Sequence, residues 1–372
     1  MRSFESAAKG LIERIGQDNS ELIHHGRQPE MLIKKVSCPN HEEAIRIAID
    51  ALKCPSHGVI SSENQICGVG HRVVHGAEDI KESVLIDKKV IRTISKYSEL
   101  APLHNPPSLL GITACLKVLP KVPQVAVFDT AFHQAMPEKA YIYGLPYEYY
   151  KKYKIRRYGF HGTSHRFVAH EAARILRKSL ASLKIITCHL GNGCSMAAVK
   201  YGKSIDTSMG LTPLEGLLMG TRCGDLDPAI VTFLIEKEEK GFNEINTLLN
   251  KNSGLLGVSG VSNDMRDINK AAKGGSRQAK LAKEIFVYRI EKYIGAYTAV
   301  MGGCDAIILT AGVGENQPWI KIKIEKDLSN LFKRFKTKIL VIPTNEELLI
   351  AKDTKDIIVS SCKTKKTKTA AS

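Results

Sequence analysis

Apolar and polar positions along the chain switch repeatedly between helical and strand periods, a pattern that predicts an α/β architecture. In HEEAIRIAIDAL (41–52) the apolar residues fall at 44, 45, 48, 51 and 52, one face of a helix, with Asn40 placed to cap its first turn. The stretch 66–74 reads as a buried strand ending in HRVVHG. PPSLLGITACLKVL (106–119) opens on prolines, which a first helical turn tolerates. VPQVAVF (122–128) then predicts a strand with Asp129 at its carboxyl end, where open α/β sheets bind ligands.

The densest pattern is LKIITCHLGNGCSMAAVKYGKSIDTS (183–208). Two apolar strands flank Gly191-Asn192-Gly193, and a third follows the turn around Gly202. Without side chains, such a turn lets backbone N–H groups approach phosphate. Downstream, an apolar helix (279–300) leads into the strand DAIILT (305–310) and the loop AGVGEN. Two glycine-rich loops after strands suit a phosphate or nucleotide.

At 372 residues the chain is long enough for two domains, each with its own core. Its 43% hydrophobic and 25% charged residues are an ordinary balance for a soluble protein. No apolar run reaches bilayer length, and MRSFESAAKG lacks the apolar core of a secretory signal, so a cytoplasmic address is expected. The nine cysteines include no CxxC pair, which argues against a zinc site or a disulfide framework. Cys67 and Cys304 sit in apolar stretches and read as small buried hydrophobes.

A net charge of +16 raises the question of nucleic acid. More than half of the excess lies in two segments. Residues 319–338 carry seven Lys/Arg against two acids, and 361–372 carry four Lys and no acid. Neither has regular aromatic interleaving, so the charge reads as an aid to solubility, with no nucleic-acid and no membrane partner. The run 361–372 is expected to be a disordered basic tail.

Candidate chemistry begins with Arg72 and Arg222, whose forked donors suit carboxylate and phosphate oxygens. His161, in YGFHGTSH, precedes a helix whose expected N-cap is Thr163 or Ser164, the end that attracts anions. His161 and His165 have the i, i+4 spacing of zinc ligands. The segment lacks the HExxH glutamate and a third ligand, so His165 reads as part of a capped turn. His104 lies on the proline-rich turn APLHNPP, a pocket position. Asp129 and Glu346 each follow a strand and suit Mg²⁺. Taken singly, each has a plain structural reading as an ion-pair partner or a cap.

Together they do not. GHRVVHG, SELAPLHNPPSLLGI, VFDTAFHQAMP, RRYGFHGTSH, MGTRCGDLDPAI, SGLLGVSGVSNDMRDI, AGVGENQP and VIPTNEELLIAKDT resemble acetate kinase motifs, in family order, from about residue 7 to about residue 358. The resemblance implies two duplicated α/β domains of the actin and sugar-kinase superfamily (ribonuclease H-like) around a nucleotide cleft, usually as a homodimer. It implies a first domain of 1–130 to which 343–360 returns, and a second, nucleotide-binding domain of 131–342. Its substrates would be ATP and acetate, with Mg²⁺, giving ADP and acetyl phosphate.

The resemblance also carries roles. Arg72 and Arg222 would grip the carboxylate and the moving phosphoryl group, and His161 would donate a hydrogen bond to that group in the transition state. Asp129 would orient substrate or metal, and Glu346 would bind Mg²⁺. Val74, Leu103, Phe160 and Pro213 would line a methyl pocket beside His104. His189, Gly191, Asn192 and Gly193 would lie near the ATP phosphates. Asp264, Met265, Arg266, Gly312, Val313, Gly314, Glu315 and Asn316 would contact the nucleotide.

Two departures from the family pattern bear on activity. The family's first strand and its N-x-G-S-S-S-x-K loop have no counterpart in residues 1–6, and the 24 residues 317–340 are shorter than the family's segment and unlike it. Three readings follow: an acetate kinase, a propionate or butyrate kinase set by the size of the methyl pocket, and a catalytically impaired remnant that only binds nucleotide. The departures lead to the expectation that this chain makes little acetyl phosphate.

Overall fold

The computed structural model describes residues 4–102 and 104–369. The chain forms two compact units: the first runs to Phe128 and resumes at Glu347, and the second is Asp129–Glu346.

In the first unit, β1 (Lys9–Glu13), β2 (Glu21–His25) and β3 (Leu32–Lys35) form an antiparallel meander. The helix His41–Lys53 follows, and Asn40 Oδ1 accepts from Glu43 N at 3.0 Å, the cap its sequence predicted. A second sheet has β4 (Val69–Val73), β5 (Val84–Leu85) and β6 (Gln124–Phe128) in the order β4-β6-β5. β4 runs parallel to β6, pairing Arg72 with Val127, and all five residues of β6 are buried. Burial on both faces explains why β6 is apolar without alternation. The helix Asn105–Val118 carries its prolines in the first turn, as expected.

The second unit is built on a five-stranded sheet. Its strands are β7 (Lys184–Leu190), β8 (Cys194–Lys200), β9 (Lys203–Thr207), β10 (Ala306–Thr310) and β11 (Lys338–Val341), in the order β11-β10-β7-β8-β9. β10 is parallel to β7 and β11, whereas β7, β8 and β9 form an antiparallel meander around the two predicted turns. The helix Arg277–Met301 buries Ala282, Phe286, Ile290, Ile294 and Met301, so most of its apolar surface serves the core of this unit.

Three expectations need correction, and one unusual segment proves to be regular. AGVGEN is a short helix, Ala311–Asn316, because Glu315 Oε1 accepts from Ala311 N at 2.7 Å and closes the turn. The run 361–372 is not a disordered tail as far as it is described. The helix Glu346–Thr369 continues through it, with no proline or glycine to stop it and lysines that favour helix; residues 370–372 lie outside the described residues. The unusual segment 317–340 is ordered as the helices Pro318–Asp327 and Ser329–Phe335 followed by β11. Cys67 is exposed, while Cys304 is buried as expected, and all nine cysteines are free thiols. Among the described residues, no helix is long and apolar enough to cross a membrane.

Candidate active site

Within the second unit the site grows from three pieces of backbone. The first is the start of the helix Gly162–Leu176, which passes so close to Asp129 that a Cβ on Gly162 would lie 2.1 Å from the Asp129 carbonyl oxygen. Gly162 N donates to that carbonyl at 2.9 Å, joining the helix start to the residue after β6. The N-cap is His161, neither Thr163 nor Ser164. It holds a left-handed φ of 55°, a conformation that costs a non-glycine residue roughly 1 kcal/mol. Two contacts hold it there. Its Nδ1 lies 2.8 Å from Ser195 Oγ, and its ring stacks on His189 with centroids 4.1 Å apart at 19°.

The hydroxyls expected to cap the helix are used elsewhere. Thr163 Oγ1 lies 2.6 Å from Glu346 Oε2 and 3.2 Å from Asp129 Oδ1, spanning the two carboxylates assigned to metal and substrate. Ser164 Oγ is 2.9 Å from Thr344 Oγ1 and 2.8 Å from His189 Nδ1. An all-oxygen pair of carboxylates suits Mg²⁺, which typically takes one or two carboxylates and completes its shell with water and substrate phosphate. Among the described residues, no group of three or more His, Cys, Asp or Glu side chains is placed to hold a metal ion.

The second piece is the β7–β8 turn, closed by Gly191 N donating to Gly193 O at 3.1 Å. Asn192 is exposed at its tip and fastened on both sides. Its carbonyl accepts from Gly220 N at 2.9 Å, and its Oδ1 accepts from Asn263 Nδ2 at 3.0 Å. A Cβ on Gly220 would lie 2.0 Å from Asn192 Oδ1, so the glycine of MGTRCGD is needed for this approach.

The third piece is the loop that carries Pro213 and Arg222. Arg222 is half-buried, and its Nη1 donates to Pro213 O at 3.2 Å. Among the described residues it has no acidic partner. Burial draws its pKa below the ordinary arginine value. Withdrawing a cation from water costs several kcal/mol unless an anion or hydrogen bonds replace the solvent, so this guanidinium is a ready receptor for an anion. Gly193 lets it and His161 converge, because a Cβ there would lie 3.3 Å from Arg222 Nη1 and 3.6 Å from His161 Nε2. Phe160, the residue before His161, is buried, and its carbonyl lies 3.0 Å from His133 Nε2.

The remaining nucleotide candidates are spread over two helix starts. Asp264 caps the helix Met265–Lys273 and binds Arg266, which holds its carboxyl down at about 2. Met265 is buried in the core. In the turn after β10, Gly312 and Asn316 are exposed, Val313 is half-buried and Gly314 is buried. Asn316 Nδ2 donates to Gly312 O at 2.9 Å, and Glu315 is the turn-closing carboxylate already described.

In the first unit, Arg72 is exposed on β4, and Val74 and His104 are half-buried. Leu103 lies outside the described residues. Sequence reasoning missed Asn105, which is fully buried and accepts from His75 N at 3.1 Å while donating to His75 O at 3.0 Å. It thereby ties HRVVHG to the HNPP turn. It also missed Thr344 and Ser195, and it gave Thr163 and Ser164 a capping role and His165 a place in the capped turn.

Comparison with known proteins adds a family. The model of the acetokinase family matches residues 1–333. An acetate kinase from Halothermothrix orenii is 55% identical over 372 aligned residues, covering 95% of this chain and 94% of its own. Among solved structures, acetate kinase from Porphyromonas gingivalis superposes with a TM-score of 0.91 at 44% identity, covering 95% of this chain and 93% of its own. A propionate kinase from Francisella tularensis superposes with a TM-score of 0.86 at 41% identity, covering 95% and 94%.

Proposed function

The chain belongs to the acetokinase family of phosphotransferases, with the duplicated actin and sugar-kinase-like fold, and from that premise we propose that it transfers the γ-phosphoryl group of ATP to acetate. The observation that carries this reading is Arg222, a half-buried guanidinium without an acidic partner among the described residues, converging with His161 on a bare glycine turn. A carboxylate is already ionised at neutral pH and needs no general base. The obstacle is bringing one anion onto another, which calls for positioning and positive charge.

In the forward direction an acetate oxygen attacks the γ-phosphorus, the bond to the β-bridging oxygen breaks, and ADP leaves with that electron pair. Arg222 and Arg72 bind the carboxylate and the phosphoryl oxygens. His161 donates from its ring to the phosphoryl oxygen on which charge grows. The backbone of Gly191, Asn192 and Gly193 borders the phosphates, and Asp264, Arg266, Gly312 and Asn316 border the nucleoside. Mg²⁺, when bound, neutralises charge on the phosphates, and Glu346 and Asp129 are the residues that would hold it, with Thr163 aligning both carboxylates.

A second reading, a propionate-preferring enzyme, rests on the similarity to the propionate kinase. An acid series decides between them. Each methylene that a pocket must reject changes kcat/KM by about 10- to 200-fold. The acetate reading predicts that kcat/KM with Mg-ATP falls by about 10-fold or more from acetate to propionate. Higher values for propionate or butyrate would overturn it in favour of the second reading.

We further infer a homodimer. The helix Pro228–Glu238 has no buried residue, and it exposes Ile230, Phe233 and Ile235 beside an 82% exposed Phe242. Such an apolar patch is characteristic of a protein interface. The apolar helix Arg277–Met301, by contrast, spends most of its apolar surface inside its own unit. A cytoplasmic address accords with nine unpaired thiols, and recovery in a membrane fraction would contradict it.

A further inference from the structure

Behind His161 lies a line of buried polar groups that the reaction does not use directly. Ser195, on β8, is fully buried, and its Oγ sits between two ring nitrogens, His161 Nδ1 at 2.8 Å and His165 Nε2 at 2.8 Å. His165 is also fully buried, and its Nδ1 lies 2.7 Å from Thr187 Oγ1 on β7. We propose that Ser195 and His165 are positioning residues for His161: the line Thr187–His165–Ser195–His161 holds the His161 ring in the tautomer with its proton on Nε2, the nitrogen on the Arg222 side. The proposal rests on the reading above that His161 donates to the phosphoryl group.

The argument is a count of protons. Burial, with His133 and His189 nearby, keeps the His165 pKa well below the ordinary histidine value, so the ring is neutral and carries one N–H. Ser195 is fully buried, and among the described residues its O–H has no acceptor besides the two ring nitrogens, so it donates to one and accepts from the other. The protons must therefore run along the line in one direction. If they ran from His161 toward Thr187, the Thr187 hydrogen would be left to Ala197 O at 3.5 Å, the outer limit of a hydrogen bond. Run the other way, Thr187 donates to His165 Nδ1, His165 Nε2 donates to Ser195, and Ser195 donates to His161 Nδ1. Every proton of the line then sits in a contact of 2.8 Å or less. His161 Nδ1 is an acceptor in that arrangement, and a neutral ring must carry its own proton on Nε2.

That is the nitrogen the chemistry needs. Phosphoryl oxygens only accept, so the opposite tautomer would turn a lone pair toward an anion. Charged and titratable groups also stand close to the ring. Arg222 approaches across Gly193, His189 stacks on the ring face, and His165 stands behind Ser195. The donor is therefore ready without taking up a proton, and it persists above the pH at which an exposed histidine loses its charge.

Nitrogen NMR of the full chain labelled in its histidine rings tests this, with the His161 signals assigned through His161→Gln. The expected spectrum has His161 Nε2 protonated and Nδ1 acceptor-like from roughly pH 6 to 9. A ring protonated on Nδ1 alone, or a doubly protonated ring throughout that range, would overturn the proposal. Ser195→Ala is expected to mix the tautomers and lower kcat about 10-fold or more, with KM for ATP and acetate within about twofold. An unchanged His161 spectrum and unchanged kcat in that variant would also overturn it. The wild-type spectrum decides the tautomer even if the variant misfolds. Full activity of His161→Ala would instead refute the phosphoryl role of His161, and the wild-type spectrum would still decide which way the protons run.

Discussion

Arg222 shows how a single side chain can announce a ligand. Its Nη1 is occupied by Pro213 O, and Met219 sulfur lies 3.9 Å away, so the packing orients the fork without neutralising it. Arg222→Ala is expected to lower turnover by about 10²-fold or more, as loss of a transition-state charge partner does, with a native circular dichroism spectrum. Near-normal acetyl hydroxamate formation by that variant would remove the anion-binding role. The arginines, histidine and carboxylates could be singled out as candidates in the sequence because the family resemblance attaches roles to the motifs that hold them. The small hydroxyls could not. Thr163 and Glu346 are 183 residues apart, and Ser195 lies 34 residues from His161. The one local signal for Ser195 was a polar residue within the otherwise apolar strand CSMAAVK, every residue of which but the last is buried.

At the scale of elements, periodicity located the strands and helices well, and it failed where side chains serve distant partners. The helix at 162 was expected to be capped by Thr163 or Ser164, the usual residue types. Tertiary hydrogen bonds claim both hydroxyls, and His161 takes the cap position in a left-handed conformation. Apolarity alone could not tell the core helix Arg277–Met301 from the exposed helix Pro228–Glu238, since both are rich in large hydrophobics. The exposed helix makes a prediction of its own. Sedimentation velocity at micromolar concentration should show a dimer, and Phe233→Glu, which places a charge at a 56% exposed position, should shift it to monomer without unfolding. A monomeric parent protein would contradict this assignment of the patch.

For the whole molecule, the α/β class and the family were legible from the order of the motifs, because each motif ends a strand or begins a helix where ligands bind. The division into units, with the chain returning to the first at Glu347, follows long-range packing that no local window contains, and only the family resemblance offered a return of that kind, at 343–360. The helical course of residues 361–369 and the two helices after Gln317 were hidden by a composition that signals charge before structure. The central claim is that the γ-phosphoryl group passes to a carboxylate and not to water. Phosphorus NMR of the purified chain with Mg-ATP and saturating acetate tests it most directly. Against the expectation of little product drawn from the two departures, the account predicts an acetyl phosphate resonance growing in step with ADP, and its loss in Arg222→Ala. Consumption of ATP to inorganic phosphate without acetyl phosphate, or no consumption at all, would contradict it.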